Sequence, residues 1–210
     1  MSFDRLAHHY ERLESIVFGE DLQRIRCIHM ETFLDAESIL LLGDGDGRFL
    51  KALLDSGSTA KIIWVDSSKK MLKLAESLTK DLGHNVCFIC SKIEDFDVPD
   101  SFVPDVIGAH FFLDCFSEDE ILVILSRISG WSKEHTKLVV SDFSIPEKRG
   151  LTTFITKLLI WKMILFFRIF AGISAHELPT IGQLLSKMRY RCLKKETLRN
   201  GFICSWVWQL

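Results

Sequence analysis

From Ser38 onward, short runs of apolar residues alternate with longer segments whose apolar positions recur every three or four residues. The first pattern predicts strands and the second predicts helices. Ile39 to Leu42, Lys61 to Val65, Val86 to Cys90, Val106 to Ala109 and Leu138 to Ser141 are the expected strands. Arg48 to Asp55, Ser68 to about Leu82 and Ile121 to Ile128 are the expected helices between them. Met71, Leu72, Ala75 and Leu78 give the second helix its apolar stripe, and Gly83 ends it. The strands are apolar throughout, as burial on both faces of a parallel sheet requires. Strand and helix in regular succession predict an α/β protein with a Rossmann-like, doubly wound sheet.

The last part of the chain changes character. Tyr190 to Thr197 and Phe202 to Gln209 are two extended runs that meet at Arg199-Asn200-Gly201. Asn-Gly tolerates the positive φ of a tight turn, so these runs are expected to form an antiparallel hairpin. Phe202, Cys204, Trp206 and Trp208 would share one face of its second strand. Phe3 to Phe33 reads as two helices packed outside the sheet and split near Gly19. With no polar or Pro/Gly-rich linker separating two cores, residues 1–210 are expected to form one domain. Residues 1–36 would be its helical cap, and residues 150–188 a helical cover inserted after the fifth strand.

Composition narrows the possible partners. The chain is 48% hydrophobic and 26% charged with a net charge of -2, so it offers no basic excess for a nucleic acid. Its six cysteines are scattered, with no secretory signal ahead of them, which points to reduced thiols in a cytoplasmic protein. Cys87 and Cys90 lie three apart in a predicted strand and so point to opposite faces. No second pair or nearby His cluster completes a metal site, so no metal is expected.

The segment Leu40-Leu41-Leu42-Gly43-Asp44-Gly45-Asp46-Gly47-Arg48-Phe49 carries the candidate chemistry. An apolar strand runs into three alternate glycines and then a helix, whose first N–H groups are available to a ligand. A dinucleotide-binding loop needs its third glycine at the sixth position of the motif, where this chain has Arg48. The spacing fits instead a loop under the amino-acid end of S-adenosylmethionine. Asp66 ends the second strand about twenty residues further on, where a carboxylate can accept both ribose hydroxyls. The competing reading is that Asp66 only caps the helix that follows.

These residues, with Val65-Asp66-Ser67-Ser68 and Met71, Cys90-Ser91-Lys92-Ile93-Glu94, Pro104-Asp105-Val106-Ile107 and the terminal hairpin, carry a family resemblance. From Tyr10 to Leu210 the chain resembles the class I S-adenosylmethionine-dependent methyltransferases, and is similar among them to the small-molecule enzymes of ubiquinone and menaquinone biosynthesis. The resemblance implies seven strands, mostly parallel, with the last antiparallel. It implies that Gly43, Gly45 and Gly47 line the methionine end, that Asp66 holds the ribose, that Ser67 and Met71 flank the adenine, and that Ser91-Lys92 meets its edge. Tyr10 looks like the aromatic lid of relatives, and S-adenosylhomocysteine would be the product. Two positions depart from the pattern. Leu41 stands where relatives often have an acid, leaving Asp44 to take over work on the cofactor's amino group, and Ser91 replaces a usual aspartate.

Ligands of an open parallel sheet lie beyond the carboxyl ends of its strands, which directs attention to Ala109-His110-Phe111-Phe112-Leu113-Asp114-Cys115-Phe116. His110 would stand near the cofactor as general base, with Asp114 orienting it or acting as base itself. Alternatively His110 is a hydrogen-bonded wall residue and Asp114 caps the helix from Ser117 to Ile128. Asp142 is expected to tie down the loop after strand five. Residues 154–171 form an unusually apolar helix, yet Lys157, Lys162 and Arg168 would each cost roughly 2.5–3.5 kcal/mol at mid-bilayer, so no transmembrane span is expected. Core or pocket wall is its default role. The sharper reading has Trp161, Phe166, Phe167 and Phe170 lining an apolar pocket or touching a membrane surface or second subunit. Methyl transfer to a small, apolar or aromatic acceptor is thus the expected function. The rivals are a cofactor-binding assembly module without turnover and a nicotinamide oxidoreductase, which Arg48 disfavours.

Overall fold

The computed structural model describes residues 18–82, 85–145 and 151–210, and of 151–157 and 159 the backbone alone. Tyr10, Gly83 and the stretch from Phe3 to Val17 lie outside the described residues. The strands are β1 (Ser38–Leu42), β2 (Lys61–Asp66), β3 (Val86–Cys90), β4 (Val106–His110), β5 (Lys137–Phe143), β6 (Arg191–Leu198) and β7 (Ile203–Gln209). They form one seven-stranded sheet in the order β3-β2-β1-β4-β5-β7-β6. The first five strands run parallel, while β7 is antiparallel to both β5 and β6. The winding reverses between β1 and β4, which opens a crevice at their carboxyl ends. At the opposite ends, the Asp105 carboxylate accepts from the backbone N–H of Glu37 and Ser38 at 3.0 and 2.9 Å and fixes the start of β1 against β4.

Alternate residues of each central strand feed opposite cores, as the two-residue strand period requires. Leu40, Leu42, Ile107 and Val140 face Ile121, Ile124, Leu125 and Ile128 of one helix, α5 (Glu118–Trp131). On the other face, Ile39, Leu41, Trp64 and Val139 meet α3 (Arg48–Asp55) and α4 (Lys69–Thr79). The expectation of burial on both faces fails for β3, where Cys87 and Cys90 are exposed. Among the described residues that strand is a sheet edge, paired with β2 alone. At the other edge, Arg191, Lys194, Lys195 and Glu196 are exposed and guard β6 against further pairing.

Ser68 caps α4, accepting from the Met71 N–H at 3.2 Å, and the helix stops at Thr79, short of the expected Leu82. Of the N-terminal segment, the described part after Gly19 holds two short helices where the pattern suggests one. Gly19, at φ +59°, precedes α1 (Asp21–Arg26), and a turn separates it from α2 (Met30–Leu34). Each short helix is anchored inward, Ile25 of α1 and Phe33 of α2 being fully buried. After β5 come α6 (Leu151–Phe170) and α7 (Ile181–Lys187), both inside the stretch 150–188 expected to be helical. The hairpin turn uses positive φ at Arg199, Asn200 and Gly201 (50°, 57° and 88°). Cys204, Trp206 and Trp208 then share a core face, but Phe202 precedes β7 and packs with Phe18 and Phe143 instead.

Leu40 and Leu41 are neighbours on opposite faces and both are fully buried. Leu40→Ala and Leu41→Ala are therefore each expected to cost about 2–5 kcal/mol in urea unfolding. A one-sided strand would show that loss at only one of them.

Candidate functional site

The bend after β1 begins where the Gly43 N–H donates to the Val65 carbonyl at 2.8 Å, a last step of the β1–β2 ladder. Gly47 then caps α3 in the left-handed conformation (φ +82°), and a Cβ there would lie 2.6 Å from the Cβ and 2.8 Å from the Cα of Ala75 in α4. Only a glycine lets the two helices approach so closely. Gly45 (φ +68°) differs, because no atom lies within 4 Å of where its Cβ would be. Its bare backbone faces open space, as a ligand-binding bend requires.

That space is a cavity of about 180 Å³ at the carboxyl ends of β1, β2 and β3. Gly43, Gly45, Asp66, Ser67, Met71, Ser91 and Lys92 all line it. Seven expected cofactor residues from three separate loops are thus brought together. Asp66 takes part in both readings weighed above. One carboxylate oxygen accepts the Ser68 N–H at 2.8 Å, which fixes the orientation of a side chain that also lines the cavity. Ser91 extends the β2–β3 ladder by donating its N–H to the Asp66 carbonyl at 3.0 Å.

Four expected site residues are placed elsewhere, and Tyr10 lies outside the described residues. Gly47 serves helix packing and does not line the cavity. Asp44 is buried beneath the bend, where it accepts from the Leu50 N–H at 3.2 Å and from the Trp64 indole at 3.3 Å. Burial raises its pKa to about 7 against the opposing pull of Arg26. His110 is also buried, with Nδ1 2.8 Å from the Ser141 hydroxyl and its ring 4.5 Å from that of Phe49. Burial, aided by the Arg26 and His29 charges, lowers its pKa to about 3, so the imidazole is neutral. His110 is not among the residues that line the cavity. Its Nε2 has no hydrogen-bond partner among the described residues.

Asp114 neither lines the cavity nor caps α5, whose cap is the reciprocal Ser117–Glu120 pair. It sits in a 3-10 turn (Leu113–Cys115), where its N–H donates to the Asp142 carboxylate at 3.2 Å. Burial raises both carboxyl groups, Asp114 to about 6, and Asp142 is raised further by Asp114 beside it. Both carboxyl groups therefore hold a proton more readily than an exposed aspartate does. Asp142 also accepts the Phe143 N–H at 2.8 Å, in keeping with its expected role of tying down this loop.

The sequence reading passed over several cavity residues. Phe111, Phe112 and Phe116 form an aromatic wall beyond β4, with Cys115 among them. Their place after a strand end was a usable signal. Phe111 adopts φ +52°, a conformation that costs a non-glycine residue roughly 1–2 kcal/mol. Such strain recurs where a loop is shaped for a ligand. Glu120 lines the cavity and accepts from the Ser174 hydroxyl. Gly172 and Ser174 complete the wall from the segment after α6, and nothing local in their sequence announces it. Arg26 of α1 was not foreseen either. Its guanidinium is buried 5.0 Å over the Phe111 ring. Among the described residues, no group of three His, Cys, Asp or Glu side chains could hold a metal ion.

Comparison with known proteins places this geometry in a wider setting. The methyltransferase domain family matches residues 39–135. A demethylmenaquinone methyltransferase of Thermotoga maritima is 36% identical over 81 residues, 38% of this chain and 35% of that protein. Mitomycin 7-O-methyltransferase superposes with a TM-score of 0.70 at 19% identity, over 100% of this chain and 60% of its own. An N-methyltransferase of Bradyrhizobium japonicum superposes with a TM-score of 0.61 at 12% identity, over 90% of this chain and 96% of its own. The match to the Thermotoga protein thus spans about a third of that relative, and the chain spans 60% of the mitomycin enzyme.

The raised pKa values of Asp114 and Asp142 give stability a definite pH dependence. Folded-state pKa values above the unfolded ones mean that the folded state binds the proton more tightly, so stability is lost as pH rises from about 4 through about 6. Asp142→Asn removes one of the two titrating carboxyl groups. Between pH 5 and pH 8 the unchanged protein is expected to lose on the order of 1–2 kcal/mol more stability than this variant in urea unfolding. The contributions of His110 and Asp44 cancel in that difference. Equal losses would contradict a raised pKa at Asp142.

Proposed function

Starting from a chain of the class I S-adenosylmethionine-dependent methyltransferase fold, whose residues 39–135 match the methyltransferase domain, we propose that it transfers a methyl group from S-adenosylmethionine to a small, apolar or aromatic acceptor. The observation that carries the reading is convergence. Gly45, Asp66 and Ser91-Lys92 come from three strand ends to a single cavity. The residues present suit the cofactor, since the bare backbone at Gly45 leaves the room a charged amino-acid moiety needs, and Asp66 is held ready for hydroxyl groups.

When bound, S-adenosylmethionine supplies an electrophilic methyl group on a positively charged sulfur. The chain's own work is to bind, align and exclude water. In this reading Gly43 and Gly45 take the amino-acid end, Asp66 accepts from the ribose, and Ser67, Met71 and Ser91-Lys92 enclose the adenine. Phe111, Phe112 and Phe116 form the dry side, and they support an apolar or aromatic acceptor. The names of the Thermotoga protein and of the mitomycin O-methyltransferase support the same class. Residues 150–188 act as the cover, a reading supported by the reach of Gly172 and Ser174 into the cavity wall. In this reading Asp114, whose carboxylate accepts from the thiol of the cavity residue Cys115 at 3.5 Å, would take the proton of an acceptor hydroxyl above about pH 6. The neutral, walled-in His110 is poorly suited to that task.

S-adenosylhomocysteine at a hundredfold excess over its dissociation constant is expected to add about 2.7 kcal/mol to the folded state, or roughly 5–10 °C in melting temperature. Gly45→Val and Asp66→Ala should lose most of that shift. No shift in the unchanged protein would sink the proposal. In a panel of hydroxylated aromatic acceptors, Asp114→Asn is expected to lower kcat by 10²-fold or more, whereas His110→Asn should stay within about tenfold. The opposite ranking would return the proton to His110. Cofactor binding with no acceptor methylated would favour the assembly module.

A further inference from the structure

We propose that the outward face of α6 docks on the surface of an anionic phospholipid bilayer. The helix is anchored inward through Ile160 and Ile164, which are buried in the cluster that includes Phe143 and Phe202. Its other side is not what a water-facing helix needs. Leu158, Trp161, Leu165 and Ile169 are 45%, 58%, 40% and 65% exposed. At 100° per residue these four fall within a sector of about 80°, so they form one continuous stripe along the helix. Isolated exposed apolar residues are ordinary, but a contiguous stripe carrying a tryptophan marks a surface that meets something apolar.

The charges beside the stripe identify what it meets. On the same helical projection, Lys162 borders it on one side and Arg168 on the other, and both are exposed. Neither forms an ion pair among the described residues. No Asp or Glu occurs anywhere from Leu151 to Ala175, although the chain as a whole has a net charge of -2. An apolar band with tryptophan, flanked lengthwise by cations and cleared of acids, fits the acyl and headgroup layers of an anionic leaflet lying under the whole helix. The long cationic stems can rest on the apolar band while their heads reach lipid phosphates. Among the described residues no helix is long and apolar enough to cross a membrane, so α6 lies in the interface plane.

The docked face leads directly to the site. From Phe170 the chain passes through Ala171 to Gly172 and Ser174 in the cavity wall, so docking brings that wall to the lipid boundary. If the methyl-transfer reading holds, the acceptor is a lipophile taken from the bilayer. The docking itself does not depend on that reading.

Flotation of the full chain with vesicles tests the proposal, with melting temperature and the S-adenosylhomocysteine shift measured on every variant to show an intact fold. The protein is expected to float with phosphatidylcholine vesicles containing about 30% phosphatidylserine, to float poorly with phosphatidylcholine alone, and to be released by salt. Lys162→Glu with Arg168→Glu should weaken binding to anionic vesicles by tenfold or more. Trp161→Ser with Ile169→Ser should do the same, while Val123→Ser, at an exposed apolar position on α5, should leave flotation unchanged. The proposal is overturned if the protein does not float with anionic vesicles, or if the α6 variants float as the unchanged protein does. It is also overturned if sedimentation shows a dimer that Trp161→Ser dissociates and no vesicle binding, which would give the face to a second copy. A lost methyl-transfer activity with vesicle binding retained would count against the proposed function alone.

Discussion

Gly47 passes so close to Ala75 that no side chain fits between them, and the ligand end of the molecule is organised around this contact. It draws α3 against α4 and fixes the start of α3 relative to the end of β1. A glycine cap carries no side chain to satisfy the first N–H groups of its helix. Asp44 supplies that missing acceptor from beneath, through the Leu50 N–H. Once Asp44 is turned inward, the backbone of Gly45 is left on the outside, facing the cavity. The alternation of glycine and aspartate in this bend therefore separates two roles, a ligand-facing backbone and a carboxylate that supports the helix.

Beneath the site lies a set of polar groups that a buried sheet tolerates only when they compensate one another. Arg26 comes from α1 to lie over Phe111, and its charge lowers the pKa values of Asp44, Asp114 and His110 together. Ser141 ties His110 of β4 to Ser205 of β7, with hydroxyl contacts of 2.8 Å on each side. The N-terminal helix is thus a structural part of the strand-end layer. Its cation offsets part of the cost of burying Asp44 and Asp114. The strained φ of Phe111 is held in place by the Ser141 carbonyl, which accepts its N–H at 2.7 Å.

Much of this was legible in the sequence because parallel strands and their following loops are local signals. The five all-apolar runs located the parallel strands, and the Gly43–Gly47 spacing and Asp66 located the cavity. What remained hidden was direction. A bend with glycines at alternate positions gives no sign of which side Asp44 takes, and burial decided that. His110 looked titratable because histidine usually is, yet its place at the end of a strand covered on both faces left it buried and neutral. The contributions of Arg26, Gly172 and Ser174 depend on segments far apart in the chain, which no local pattern brings together. Cys87 and Cys90 were read as unconnected thiols, and they are exposed on an edge strand that a run of apolar residues alone does not distinguish from a central one.

A crystal structure with S-adenosylhomocysteine bound is the most direct test of the central claim. The account predicts the amino-acid end of the ligand against the backbone of Gly45, its ribose hydroxyls on the Asp66 carboxylate and its adenine between Met71 and Ser91-Lys92. A ligand seated elsewhere on the chain, or one whose ribose is not held by Asp66, would contradict it.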